Sequence, residues 1–256
     1  MKIALIGYGN MGSAIYRGLA NIFPEEDIHI CDKSPQKGLK NYHININNVL
    51  GLVDVVIIAV KPQQFEELSK SLEGNIKDKL VISIMAGVTI AKIKKLAGAG
   101  KVVRAMPNLA ASVGESLTGW VAGRSASQDD KTLAARIFSS FGTGIELKNE
   151  KMIDSLTALS GSGPAYFFYL CELLQKKAVK MGFNAINART IAEKTFTGSA
   201  KLMGLKIKEA EEWRNAVTSK GGTTEAALEY MEKHGLAEII DAAVDNAKER
   251  AAELNK

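Results

Sequence analysis

One feature at the start of the chain narrows its fold more than any other. An apolar run, Lys2–Ile6, leads into Gly7-Tyr8-Gly9-Asn10-Met11-Gly12, and the chain continues with Ile15 and Leu19 at helical spacing. Glycines at these offsets between a strand and a helix meet three separate needs. Gly7 permits the tight turn, Gly9 lets a pyrophosphate come against the main chain, and Gly12 lets the helix lie close to its strand. The amides around Asn10 and Met11, with the helix dipole behind them, then face the phosphates. As a bare hexapeptide the pattern is equally a glycine-rich turn; the strand before it and the helix after it make it a dinucleotide site at the first crossover of a parallel sheet.

The residues that follow keep that frame. β-Branched runs at Asp27–Cys31, Asp54–Val60, Leu80–Met85 and Lys101–Met106 alternate with helical stretches at Met11–Asn21, Gln63–Leu72 and Thr89–Ala97, the rhythm of strands joined by crossover helices. Beyond Pro107, a strand at Leu117–Val121, a helix over Asp129–Phe141 and a strand at Gly144–Lys148 are expected to extend the same sheet. In an open sheet of this kind the ligand lies outside the carboxyl ends of the strands, which nominates Val60-Lys61-Pro62 and Ala86-Gly87 as cleft residues. Pro62 also suits a helix start and Gly87 a turn. Asp32, at the end of the second strand, stands where a carboxylate would take the adenosine ribose hydroxyls of NADH. Lys33 and Ser34 beside it suit the extra phosphate of NADPH instead. The cofactor is therefore read as NADPH or NADH.

With 46% hydrophobic residues over 256 positions the chain can bury a sizeable core, while a 6% aromatic share and 23 glycines favour close-packed helices and ligand loops over an all-β sandwich. The formal charge of +5 comes from scattered lysines and arginines, not from a block of like charges, so it marks no nucleic-acid partner. Cys31 and Cys171 form no Cys-x-x-Cys, and His29, His43 and His234 have no ligand spacing, so no metal site is expected. No apolar stretch approaches the roughly 20 residues needed to span a bilayer. The opening residues lack the parts of a signal peptide, which makes a cytoplasmic protein with no membrane partner the expectation.

From about Leu156 the strand signals stop. The remainder reads as four or five helices, with Pro164 at a helix start, Gly182, Gly204 and Gly235 at helix ends, and an amphipathic helix from Leu236 to about Leu254. The expected architecture is α/β: a Rossmann-type doubly wound sheet over residues 1–155, then an all-helical domain over residues 156–256. Within the latter, Ser219-Lys220-Gly221-Gly222-Thr223-Thr224 precedes a helix from Glu225 to about Lys233. Amides converging on a helix N-terminus make a seat for a carboxylate, two glycines let the main chain approach a ligand, and threonine hydroxyls can bond a carboxylate or a ring nitrogen. An ordinary Thr-capped helix after a glycine turn fits the same residues. Ser160-Gly161-Ser162-Gly163-Pro164, at the domain junction, suits a substrate border or a hinge.

Several segments together resemble the pyrroline-5-carboxylate reductase family: Ile6-Gly7-Tyr8-Gly9-Asn10-Met11-Gly12, Ala59-Val60-Lys61-Pro62-Gln63, Ser83 to Thr89, Arg104-Ala105-Met106-Pro107-Asn108, Ser160 to Tyr166, and Val217 to Leu228. The first is common to many dehydrogenases, whereas the last two discriminate. The resemblance implies hydride transfer to the C=N carbon of 1-pyrroline-5-carboxylate, giving L-proline. It implies that the Met11 loop, Lys61-Pro62, Ala86-Gly87 and Met106-Pro107-Asn108 line the cofactor cleft and that Ser219, Gly221, Gly222, Thr223 and Thr224 hold the substrate. It further implies a homodimer built through the C-terminal helices and commonly assembled into a decamer. Two positions depart from the family pattern: Lys220 stands where a proline is usual, and Leu109-Ala110 follow Asn108 in place of Thr-Pro. Lys220 restores an N–H and a free φ to the substrate loop.

An imine is protonated more readily than a ketone, so the chemistry asks for orientation and one polar contact to the ring nitrogen, for which Thr224 is the candidate, and not for a His-Asp pair. A 3-hydroxyacid dehydrogenase would carry a lysine four residues after its Gly-x-Gly loop, where this chain has Phe167. A regulatory module that binds a dinucleotide without chemistry would not need the Gly-Gly-Thr-Thr segment.

Overall fold

The strands are β1 (Ile3–Ile6), β2 (Ile28–Cys31), β3 (Tyr42–His43), β4 (Val55–Ile58), β5 (Leu80–Ser83), β6 (Lys101–Met106), β7 (Ser116–Ala122) and β8 (Gly142–Glu146). In the computed structural model, which describes residues 1–34 and 38–255, they form one sheet in the order β3-β2-β1-β4-β5-β6-β7-β8. The pairs from β3 to β6 are parallel, with Leu5 of β1 opposite Ile30 of β2 on one side and Ile57 of β4 on the other. Alternation along each strand sends side chains to two faces. Ile3, Leu5, Val55 and Ile57 pack on one side with Ile15 and Leu19 of α1 (Asn10–Ala20). Ala4, Ile6, Val56 and Ile58 pack on the other against Val49 and Leu50 of α2 (Asn47–Leu50), Phe65 and Leu72 of α3 (Phe65–Leu72) and Ile93 of α4 (Ile90–Ala97). Burial on both faces is why the strands read as unbroken apolar runs.

Local signals set the helix ends. Thr89 caps α4, its hydroxyl accepting the Lys92 amide proton at 3.2 Å, and Gly98 ends it in the left-handed region. α5 (Gln128–Ser139) packs Ile137 and Phe138 on the α1 side of the sheet. β7 and β8 extend the sheet as expected, but β7 runs antiparallel to β6, with Met106 opposite Gly119. The link between them holds only a 3-10 turn, Leu109–Val113, too short for a parallel crossover.

α6 (Met152–Leu156) runs through a π-helical stretch, Thr157–Gly161, into the helical region: α7 (Gly163–Lys180), α8 (Ala185–Gly204), α9 (Ala210–Ala216), α10 (Thr223–Lys233) and α11 (Leu236–Glu253). The chain divides into two compact units, Met1–Pro164 with Asn246–Lys256, and Ala165–Asp245. α11 begins in the second and ends in the first. That end is fixed in the first unit by Arg104, only 2% exposed. Its guanidinium donates to Glu150 Oε1 at 3.0 Å and to Asn255 Oδ1 at 3.0 Å, with Asp154 Oδ1 at 3.8 Å. Glu150 Oε1 also accepts the Ile90 amide proton at the start of α4, and Asn255 Nδ2 donates to Asp154 Oδ2 at 2.9 Å.

The second unit has little interior of its own: only Ala178, Ala188 and Ala192 are buried in it. Phe167, Phe168, Tyr169, Ile186 and Ile239 are all more than half exposed. Small alanine contacts between helices cannot offset the cost of ordering such a segment, and large apolar side chains left in water mark a surface made to be covered.

Candidate active site

Because β1, β2, β4, β5 and β6 are mutually parallel, their carboxyl ends share one edge of the sheet. Gly7, Asp32, Val60, Ala86 and Asn108 follow those strands and are thereby placed along that edge. Each of the three loop glycines has a separate reason. Gly7 adopts φ +96°, and a Cβ there would meet Ala59 O at 2.7 Å; a Cβ on Gly12 would fall 2.0 Å from Gly7 O; a Cβ on Gly9 would meet no protein atom within 4 Å. Gly7 is required by its approach to the main chain after β4 and Gly12 by its approach to Gly7, while the space beside Gly9 is open to a ligand. α1 starts at Asn10 with Gly9 as its cap and no side chain bonded to its first amides. Open space, uncapped amides and a helix N-terminus together fit a dinucleotide pyrophosphate.

Next to this loop a cleft is lined by Gly7, Cys31, Asp32, Lys33, Ser34, Ile44, Asn45, Ile46, Val60 and one side of α3. It gathers Gly7, Asp32, Lys33, Ser34 and Val60 among the site residues read from the sequence, and it does not extend to Ala86, Gly87 or Asn108. Asp32 is tightly tied: Oδ2 accepts the Tyr8 amide proton at 2.6 Å and Oδ1 that of Ser34 at 2.9 Å. The Tyr42 hydroxyl bridges the carbonyls of Asp32 and Ser34 at 2.5 and 2.6 Å. Burial first, and then the Asp32 charge, raises the Tyr42 pKa and keeps that proton in place. Asp32 thus locks the glycine loop to the turn after β2 and presents its remaining lone pairs to the cleft. Burial alone pushes the Cys31 thiol up to about 12.

The sequence reading missed Asn45, Gln64 and Glu67 as lining residues. Gln64 follows Pro62, which opens a 3-10 turn ahead of α3, and its Oε1 accepts the Lys61 amide proton at 3.2 Å. Once α3 buries Phe65, Ser69 and Leu72 in the core, Gln64, Glu67, Leu68 and Ser71 are left to the cleft; that spacing was the signal available.

Further along the edge, Gly87 takes φ +70°, and a Cβ there would meet Leu254 O at 2.5 Å, so the end of α11 is its immediate neighbour. Asn108 accepts the Ala110 amide proton and donates through Nδ2 to Ser160 Oγ at 3.0 Å. A Cβ on Gly161 would lie 3.1 Å from Met106 Cε. The Met106-Pro107-Asn108 and Ser160-Gly161 motifs therefore meet directly, at a π-helical stretch of the kind that recurs at functional sites.

In the second unit, Ser219–Thr224 forms the turn into α10. Gly222 caps the helix with no side-chain bond to its first amides, and Thr223 and Thr224 fall inside its first turn. The Gly221 amide donates to Glu225 Oε2 at 2.6 Å and the Gly222 amide to Ser219 O at 2.9 Å. Amides without a side-chain cap begin at Thr223, beside a half-buried Thr224. A Thr-capped helix is not what these residues build. Among the described residues no group of His, Cys, Asp or Glu has metal-binding geometry, and no helix is long and apolar enough to cross a membrane.

Residues 150–254 match a family model described as pyrroline-5-carboxylate reductase dimerisation, and residues 2–87 match one described as NADP oxidoreductase coenzyme F420-dependent. A pyrroline-5-carboxylate reductase of Methanosarcina acetivorans is 36% identical, covering 100% of this chain and 98% of the relative. The crystal structure of the Plasmodium falciparum pyrroline carboxylate reductase with NADP bound superimposes with a TM-score of 0.90 at 28% identity, covering 100% of this chain and 98% of that one. The Coxiella burnetii pyrroline-5-carboxylate reductase gives a TM-score of 0.89 at 36% identity over the same shares.

Proposed function

Because this chain belongs to the pyrroline-5-carboxylate reductase family, an NAD(P)H-dependent oxidoreductase family that reduces 1-pyrroline-5-carboxylate to L-proline, we propose a division of its chemistry between two sets of residues. The functional division follows residues 1–155 for the cofactor and 156–256 for substrate and dimerisation. Gly7, Gly9, Asn10, Met11 and Gly12 take the pyrophosphate, Asp32, Lys33 and Ser34 the adenosine end, and Val60-Lys61-Pro62, Ala86-Gly87 and Asn108 the wall toward the nicotinamide. The observation that carries this is the loop in which Gly7 and Gly12 are closed by packing and Gly9 alone is open.

When bound, the reduced nicotinamide supplies the hydride for the imine carbon. The chain supplies orientation. The uncapped amides from Thr223 onward favour a carboxylate at the start of α10, Ser219, Gly221 and Gly222 set the turn that aims them, and Thr224 gives the ring nitrogen its polar contact. The iminium accepts hydride without a strong acid on the protein, and none of the residues assigned here supplies one.

The exposed apolar faces of the second unit support a homodimer; a decamer rests on the family resemblance alone. The unpaired cysteines Cys31 and Cys171 suit the cytoplasm. The test follows reduced-nicotinamide absorbance with 1-pyrroline-5-carboxylate present and assays proline as product. Thr224→Ala should lower kcat/KM about tenfold to a hundredfold with an unchanged melting temperature. Loss of stability with intact kcat/KM would remove Thr224 from the substrate.

A further inference from the structure

Among the described residues lining the cleft after β2, one is a cation and two are carboxylates: Lys33, Asp32 and Glu67. Asp32 has both oxygens engaged by main-chain amides. Lys33 is engaged by another side chain, its Nζ lying 2.9 Å from Glu67 Oε1. The two come from different elements, Lys33 from the turn after β2 and Glu67 from α3. Both are largely in solvent, at 78% and 76% exposure.

We propose that Glu67 is a cofactor-specificity residue: it competes with the adenosine 2′-phosphate for Lys33 and thereby keeps the cleft open to NADH as well as NADPH. This rests on the dinucleotide reading of the cleft. A 2′-phosphate brings close to two negative charges and needs a cation that is free to meet it. Among the described residues of this cleft the one lysine already has a carboxylate partner, and Lys33, Asp32 and Glu67 together leave a net negative charge. A ribose 2′-hydroxyl makes no such demand. The pair does not exclude the phosphate outright, because an exposed ion pair is held weakly and Lys33 can exchange one anion for another. The Lys33 hydrogen bond and charge hold the Glu67 carboxyl below the usual carboxylate range, so the competitor stays charged at neutral pH.

The experiment is a fluorescence titration of the full chain with NADPH and with NADH, using 2′,5′-ADP and 5′-AMP as competitors that report on the adenosine end alone. Glu67→Gln should tighten NADPH and 2′,5′-ADP by about three- to tenfold, with a smaller gain as salt is raised. NADH and 5′-AMP should change by less than about twofold, since neither carries the 2′-phosphate charge. In the Lys33→Ala background the gain should vanish. Equal shifts for both members of each pair, or a gain that survives Lys33→Ala, would overturn the proposal while leaving the cofactor site standing. Failure of the unaltered chain to bind any of the probes would overturn the dinucleotide reading, and this inference with it.

Discussion

Gly9→Ala and Gly12→Ala each add one methyl group to the same loop and should have opposite signatures. Gly9 sits at φ −76°, ψ −163°, a conformation alanine adopts freely. Its new Cβ meets no protein atom within 4 Å, so the cost to folding is limited to a poorer helix cap, about 0.5 kcal/mol. The methyl would stand in the pyrophosphate's space and push it back by about 1 Å, enough to weaken NADPH about ten- to a hundredfold. For Gly12 the new Cβ lies 2.0 Å from Gly7 O, whereas ordinary C···O contact begins near 3.3 Å. Gly7 cannot yield: its amide donates to Cys31 O at 2.8 Å, and it already abuts the main chain at Ala59. α1 has to move instead, at a cost of about 2–3 kcal/mol and a melting temperature lower by about 5–10 °C, with cofactor affinity falling as well. Thermal melts and NADPH fluorescence titrations on both variants decide the matter. A Gly9→Ala protein that binds NADPH within about twofold of the parent would refute a pyrophosphate at Gly9, and a Gly12→Ala protein that melts at the parent temperature would refute the packing argument.

Arg104→Met should cost about 2–4 kcal/mol in urea unfolding, tempered because Glu150 is 31% exposed and keeps the Ile90 amide; a loss under about 0.5 kcal/mol would mean the guanidinium is solvated. Burial first, then neighbouring His43 (its Nε2 3.2 Å from His29 Nδ1) and Lys2, with Asp27 opposing, lowers the pKa of His29. The unfolded chain therefore binds more protons than the folded one as pH falls below about 6.5, and stability that is intact above that pH should decline from there downward; a melting temperature unchanged between about pH 7.5 and 5.5 in a His43→Gln comparison would contradict this. Cys31, with its thiol raised to about 12, should stay unreactive toward a thiol reagent at neutral pH in a Cys171→Ser protein and react only on unfolding. Sedimentation should show at least a dimer, and a 27.5 kDa monomer at micromolar concentration would refute it.

The elements that sequence alone revealed are those written in a local code. The first loop is legible because three glycine offsets, a strand and a helix coincide within Ile3–Ala20, and the parallel strands are legible because burial on both faces makes Val55–Ile58 wholly apolar. β3 and α2 were missed because Tyr42–His43 and Asn47–Leu50 are too short to show a period. In the site, two of the contacts that could not be read are long-range. Lys33 meets Glu67 across 34 positions and Asn108 meets Ser160 across 52. The turn into α10 holds the other kind of surprise: its Gly221 amide, expected to face a ligand, is taken by the chain's own Glu225.

Arg104 finds one of its partners 151 positions downstream, at Asn255. As the chain emerges from the ribosome, the nucleotide-binding fold forms first, with its deepest cation lacking part of its shell until all of α7 to α11 has followed. The two halves are for this reason not interchangeable cassettes. A chimera spliced at Pro164 would carry an open seam beside Gly87, where Leu254 belongs. Any successful exchange of cofactor halves between such proteins has to move the end of α11 together with the sheet.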